Sequence, residues 1–201
     1  GAESPPAKIA RAAASEITSA VPSTVLISGQ KTSPDLAAFA NGVMIRYLDF
    51  NDTYAGSPTC HPSDLLAPVL AVVDAKHGDG KDVILGTVLG YEVFCGLIDA
   101  GANERGRIWD QSTYGVIAAA VVAAKLFGLM KEQMCNAISL AVASHISLEQ
   151  IRRGQISHWK GCALANASRN AVFCALLAAK GMTGPEEAFE GKAGFLASTG
   201  I

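Results

Sequence analysis

The sequence predicts an all-α, multi-helix domain. Three observations carry that reading. Apolar residues recur at helical rather than alternating spacing, alanine crowds the apolar stretches, and Ser, Pro and Gly stand where helices start and stop. Only Val25-Leu-Ile-Ser28, ahead of a Gly29 turn, reads as a short extended piece. With 201 residues and no internal repeat or low-complexity linker, a single domain over 1–201 is expected, long enough to bury a substantial core.

The elements follow in order. Residues 7–20 form an alanine-rich amphipathic segment. Ser33-Pro34-Asp35 is a helix start, with a capping serine, proline at the first position and an acid in the first turn. That helix is expected to run through Phe39, Val43, Ile45 and Leu48 into the polar cluster that begins at Asp49. Ser63 can cap the next, which carries Leu65, Leu66, Val69, Val72 and Val73 and ends at His77-Gly78. Residues 82–100 follow as a longer helix, apolar enough to be central, and 101–106 form a polar break. Residues 113–129 should be buried on most faces, with Ala118, Ala119, Ala120, Ala123 and Ala124 allowing close helix approach. Helices over 131–144 and 161–180 complete the set, the last stopped by Gly181. Pro185-Glu186 reads as one more helix start.

Composition excludes several functions. A formal charge of −2 with 17% charged residues leaves no basic stripe to neutralise a phosphate backbone, so nucleic acid is not expected as a partner. The greasiest stretch, 116–129, is short for a membrane span and contains Lys125. No signal peptide is visible at the start, and five cysteines without CxxC spacing fit reduced thiols. A cytoplasmic location is expected, with the mitochondrial matrix also compatible for a eukaryotic chain.

Three segments concentrate polar chemistry. The first packs Asp49, Asn51, Asp52, Thr53, Tyr54 and His61 into one short stretch. Asp49 and Thr53, four apart, would share one face if the helix continued. Such groups can hold a carboxylate or hydroxyl and move a proton, histidine being the natural acid or base near neutral pH. A capped helix end with solvated acids is the bland alternative. The second segment gathers Arg152, Arg153, His158, Lys160 and Arg169 around a Gly-broken loop entering an alanine-rich helix, a setting that favours anions. Taken singly, Arg152 and Arg153 read as solvated loop residues, whereas Lys160 beside Trp159 at a buried helix entrance is less ordinary. The third, Arg105 to Tyr114, leads into a buried helix, where Ser112 or Thr113 reads as an N-cap rather than a nucleophile. His77 and His145 read as helix-end residues. No two histidines or cysteines have metal-ligand spacing, so no metal and no cofactor are expected.

In this order the segments resemble the MmgE/PrpD family, which includes 2-methylcitrate dehydratases, cis-aconitate decarboxylases and iminodisuccinate epimerases. The residues that carry the resemblance are Phe39-Ala-Asn-Gly42 with Leu48-Asp-Phe-Asn-Asp-Thr53, then His61-Pro-Ser63, and Trp109-Asp110 with Thr113-Tyr114. Trp159-Lys-Gly-Cys-Ala163, Ala165-Asn-Ala-Ser-Arg-Asn170, Thr183-Gly-Pro185 and Phe189-Glu-Gly191 add to them. The resemblance implies a large helical domain, here without its smaller α/β lid and incomplete at both ends. It further implies a homodimer, a place in propionate metabolism, and action on small di- and tricarboxylates without metal or cluster. Residue by residue it places Asp49, His61 and Lys160 as catalytic and Thr53 as substrate-binding. Gln111 stands where several members carry a histidine after Trp-Asp, with His158 as a speculative substitute. Arg152 and Arg153 are expected to help bind substrate. The implied activity is elimination of water from a hydroxy-tricarboxylate. Decarboxylation, epimerisation or a non-catalytic assembly role are the alternatives.

Overall fold

A computed structural model describes residues 1–56, 58–100 and 108–199. Among them eight α-helices and one two-stranded hairpin form the domain. The sequence-predicted polar break at 101–106, with Arg105, lies outside the described residues.

The first helix, α1 (Pro5–Ser15), lays Ala7, Ala10 and Ala14 inward and is shorter than its alanine content suggested. Strands β1 (Ser23–Thr24) and β2 (Lys31–Thr32) pair antiparallel just outside the expected extended piece. Residues 25–28 instead make the hairpin turn, with both Ile27 and Gly29 at φ 70°. Helix α2 (Pro34–Arg46) starts at the expected Ser-Pro step, although the Ser33 side chain makes no capping bond. Ser63 does not cap a helix. It lies inside a 3-10 turn (Pro62–Leu65) that leads into α3 (Leu66–Ala75).

The long helix α4 (Gly80–Asp99) opens on a reciprocal cap, in which the Asp79 side chain accepts from Lys81 and Asp82 N–H while Asp82 accepts from Asp79 N–H. It is not the central helix its apolarity predicted. Only Gly86, Gly90, Phe94 and Ile98 are buried, one every four residues, whereas Ile84, Leu85 and Val88 are 66%, 45% and 56% exposed. One stripe is enough for a helix that packs on the bundle from outside.

The centre belongs to α5 (Ser112–Leu126), buried at every position except Val121 and Lys125. It packs on α7 (Ala163–Ala179) so closely that a Cβ on Gly115 would fall 2.5 Å from Leu164. Small residues at such a contact let the backbones approach. Helix α6 (Lys131–Ser144) covers both. Gly181, at φ 92°, ends α7 as expected. Pro185-Glu186 begins turns rather than a helix, and the last helix, α8, is Phe195–Thr199. Among the described residues no helix is long and apolar enough to cross a membrane.

Candidate active site

Two segments distant in sequence meet where α2 ends. The helix stops at Arg46, and Asp49 turns the chain at φ 61°, a left-handed conformation that aspartate tolerates better than most residues. The expected helical face shared by Asp49 and Thr53 therefore does not exist. The turn is held from both sides instead. The Arg46 guanidinium donates to Asp49 Oδ1, and Lys160 Nζ donates to Asp49 Oδ2 at 3.1 Å. Lys160 lies in a 3-10 turn (His158–Gly161) whose first N–H groups include one capped by Ser157 Oγ. Gly161 brings that turn against Tyr47, because any Cβ there would stand 2.8 Å from the ring.

Arg46 is buried, and its Nε stands 3.3 Å from Asp64 Oδ2, yet no hydrogen bond joins the two. Asp64 is only 3% exposed. Burial pushes its carboxyl up to about 8 against the pull of Arg46. Its Oδ1 accepts from Asn51 Nδ2 at 3.0 Å. Asp49 behaves oppositely: burial would raise it, but hydrogen bonds from Arg46 and Lys160 outweigh burial and take it down to about 2. Near neutral pH the group thus holds two cations, Arg46 and Lys160, against one anion, Asp49. They line a cavity of about 290 Å³ with Tyr47, His158 and Gly161.

His61 is returned to this region by an isolated antiparallel bridge, Tyr54 with Cys60. Its Nδ1–H donates to the Asp52 carbonyl at 2.8 Å. A carbonyl can only accept, so the proton sits on Nδ1 and the neutral ring keeps its lone pair on Nε2. Burial lowers the imidazole's pKa, which keeps the ring neutral. The carboxylate of Asp52 is itself anchored, accepting from Ser63 N–H at 3.0 Å and Tyr91 Oη at 2.8 Å. Gln111 Oε1 accepts from His61 N–H at 3.0 Å. His61 does not line the cavity, but Arg46, Asp49 and Arg152 are near enough for their charges to act on its ring. Among the described residues no group of three or more His, Cys, Asp or Glu side chains could hold a metal ion.

With this geometry in place, sequence comparison identifies the lineage. The MmgE/PrpD N-terminal domain model matches residues 1–200. The chain belongs to the MmgE/PrpD family. It is 32% identical to a 2-methylcitrate dehydratase of Escherichia coli O157:H7 over 82% of this chain and 38% of that protein. It is 35% identical to a mitochondrial 2-methylcitrate dehydratase of Yarrowia lipolytica over 82% of this chain and 35% of the relative. Human cis-aconitate decarboxylase is 31% identical over 81% of this chain and 34% of its own length. The chain thus spans little more than a third of these relatives.

The other residues singled out within this MmgE/PrpD domain are more scattered. Thr53 is exposed and outside the cavity's lining. Arg152 pairs with Asp110, which is fully buried and also accepts from Ser112. Arg153 is exposed and reaches Glu149 at 3.5 Å. His158 is exposed with its ring edge-on to Tyr47. Arg46, Asp64 and Tyr91 were not anticipated. For Arg46 the signal was present, a cation one helical turn before Asp49; for Tyr91, on a separate helix, there was none.

Proposed function

We propose that the full-length protein is a lyase of the 2-methylcitrate dehydratase type. It eliminates water from a small hydroxy-tricarboxylate by side-chain acid/base chemistry, with no metal called upon. One observation carries the reading: the Arg46–Asp49–Lys160 group has surplus positive charge, beside a histidine whose Nδ1 is committed and whose Nε2 can take a proton. Substrate carboxylates bind Lys160 and Arg46 through charge-assisted hydrogen bonds. His61 Nε2 removes the proton next to a carboxylate, the C–H electron pair becomes the new C=C bond as the C–O bond breaks, and the hydroxyl leaves as water with the proton that His61 Nε2 hands on. Asp49 holds the two cations in register and Gln111 holds the His61 backbone. Thr53, Arg152, Arg153 and His158 are proposed to shape the approach. A homodimer, in the cytoplasm or the mitochondrial matrix, belongs to the same proposal, as does a place in propionate metabolism.

A second reading is favoured by the human relative's name: the same cations would hold a carboxylate during decarboxylation of cis-aconitate. Assaying full-length protein with 2-methylcitrate, cis-aconitate and iminodisuccinate separates these from each other and from a non-catalytic assembly role. Turnover of 2-methylcitrate is expected, with Lys160→Ala and His61→Ala each lowering kcat/KM by about a hundredfold or more. No turnover of any of the three, with both variants binding them like wild type, would sink the enzymatic reading.

A further inference from the structure

Helix α4 turns its buried stripe, Gly86 to Ile98 in steps of four, toward the domain. Helical geometry fixes what lies opposite. Lys81, Leu85, Val88 and Glu92, spaced by four, three and four residues, share the outward face, with Ile84 and Leu89 on its two flanks. Ile84, Leu85 and Val88 are exposed and Leu89 is half-buried. Single apolar residues on a surface are ordinary, but a contiguous aliphatic stripe marks a contact.

The ends of the stripe carry opposite charges. Lys81 stands one turn before the aliphatic group and Glu92 one turn after it. Both are exposed, and neither makes an ion pair among the described residues. Asp99, two turns further along the same face, is engaged by Tyr54 Oη.

The order cation, aliphatic group, anion is its own complement once the helix is reversed. Consider a second α4 laid antiparallel, with a two-fold axis passing between the helices at the level of the Gly86–Thr87 peptide. Lys81 then faces Glu92 of the second copy, and Leu85 faces its Val88, each pair occurring at both ends. Ile84 of both copies covers one flank and Leu89 of both the other. A parallel arrangement would instead set Lys81 against Lys81 and Glu92 against Glu92. A contact that uses the same patch on both molecules closes on itself, giving a dimer rather than a chain.

We propose that the outward face of α4 is an interface between two copies of this chain, packed as an antiparallel helix pair. It gives the proposed homodimer its surface, so it rests on that part of the functional reading and not on the lyase chemistry.

The test is sedimentation velocity of full-length protein over a dilution series. Wild type is expected to dimerise. Lys81→Glu and Glu92→Lys each set like charges together at both ends, so each should raise the dissociation constant at least about tenfold. Mixing the two single variants restores an opposite pair at both ends, and the mixed dimer should form with near wild-type affinity. Combining both substitutions in one chain should do the same. Val88→Asp, which buries a charge in the aliphatic centre, should leave the protein monomeric. A monomeric wild type overturns the proposal. So do reversals that dimerise like wild type, which would show that another face is used or that another part of the full-length chain covers α4. A mixture that associates no better than its separate components overturns it too, and decides the matter if Val88→Asp does not fold. Turnover of 2-methylcitrate by wild type is scored separately: turnover without a dimer sinks only the interface, and a dimer without turnover sinks only the lyase.

Discussion

Replacing Asp64 with Asn tests whether the site's positive surplus depends on a carboxyl held neutral by burial. The side chain is 2% exposed, and burial raises its carboxyl to about 8 from 3.8. A raised carboxyl means that the folded state keeps a proton that the unfolded chain has shed. Stability is then lost as pH rises from the unfolded value to the folded one, at about 1.4 kcal/mol per unit. Between about pH 6 and about pH 9 that loss works out at ~3 kcal/mol. Asparagine cannot ionise, and its Oδ1 can still accept from Asn51. Urea denaturation across this range should therefore show a flatter pH dependence for Asp64→Asn, with the variant the more stable at the alkaline end. Carboxylate affinity should also fall above about pH 8 in wild type, as the second anion appears beside Arg46, and hold in the variant. Parallel stability curves for the two proteins would refute the reasoning.

Two further outcomes follow from the same network. Arg152→Met leaves Asp110 fully buried without its cation, although Ser112 still donates to it, so a destabilisation of about 3 kcal/mol is expected in denaturant titrations. Adding Asp110→Asn should recover much of it, and a loss under about 1 kcal/mol would show the pair to be incidental. Tyr91→Phe removes the 2.8 Å bond to Asp52 and should cost about 1 kcal/mol while altering the 15N shifts of His61; an unchanged His61 spectrum would remove Tyr91 from the site.

Helix content was legible because its signals are local. The Ser-Pro-Asp start of α2, the buried alanine run of α5 and the Gly181 stop lie where the sequence put them. Apolarity misled for α4, since composition cannot say which face a helix turns inward or whether a neighbour covers the other. The polar cluster was visible as a cluster, but its geometry was not. A helix was extrapolated through Asp49, whereas paired cations from Arg46 and Lys160 secure a left-handed turn there. Lys160 lies 111 residues from Asp49, so no local pattern records that contact. Asp64 and Tyr91 escaped notice because their importance depends on burial and on a hydrogen bond between elements, which only the folded chain defines.

The bridge between Tyr54 and Cys60 consists of two backbone hydrogen bonds, at 2.9 and 3.1 Å. It separates the chain's positional information from its length. On one side stand Asp49 and Asp52, on the other His61, and the described bonds that hold His61, to the Asp52 carbonyl and to Gln111 Oε1, come from outside the intervening tip. Loop-closure entropy grows only logarithmically, so even doubling that tip would cost roughly 0.6 kcal/mol. The tip is thus a place where this domain can vary in length while His61 keeps its bearing on Asp52, with Gly56 held to glycine by its close approach to the buried Ile98.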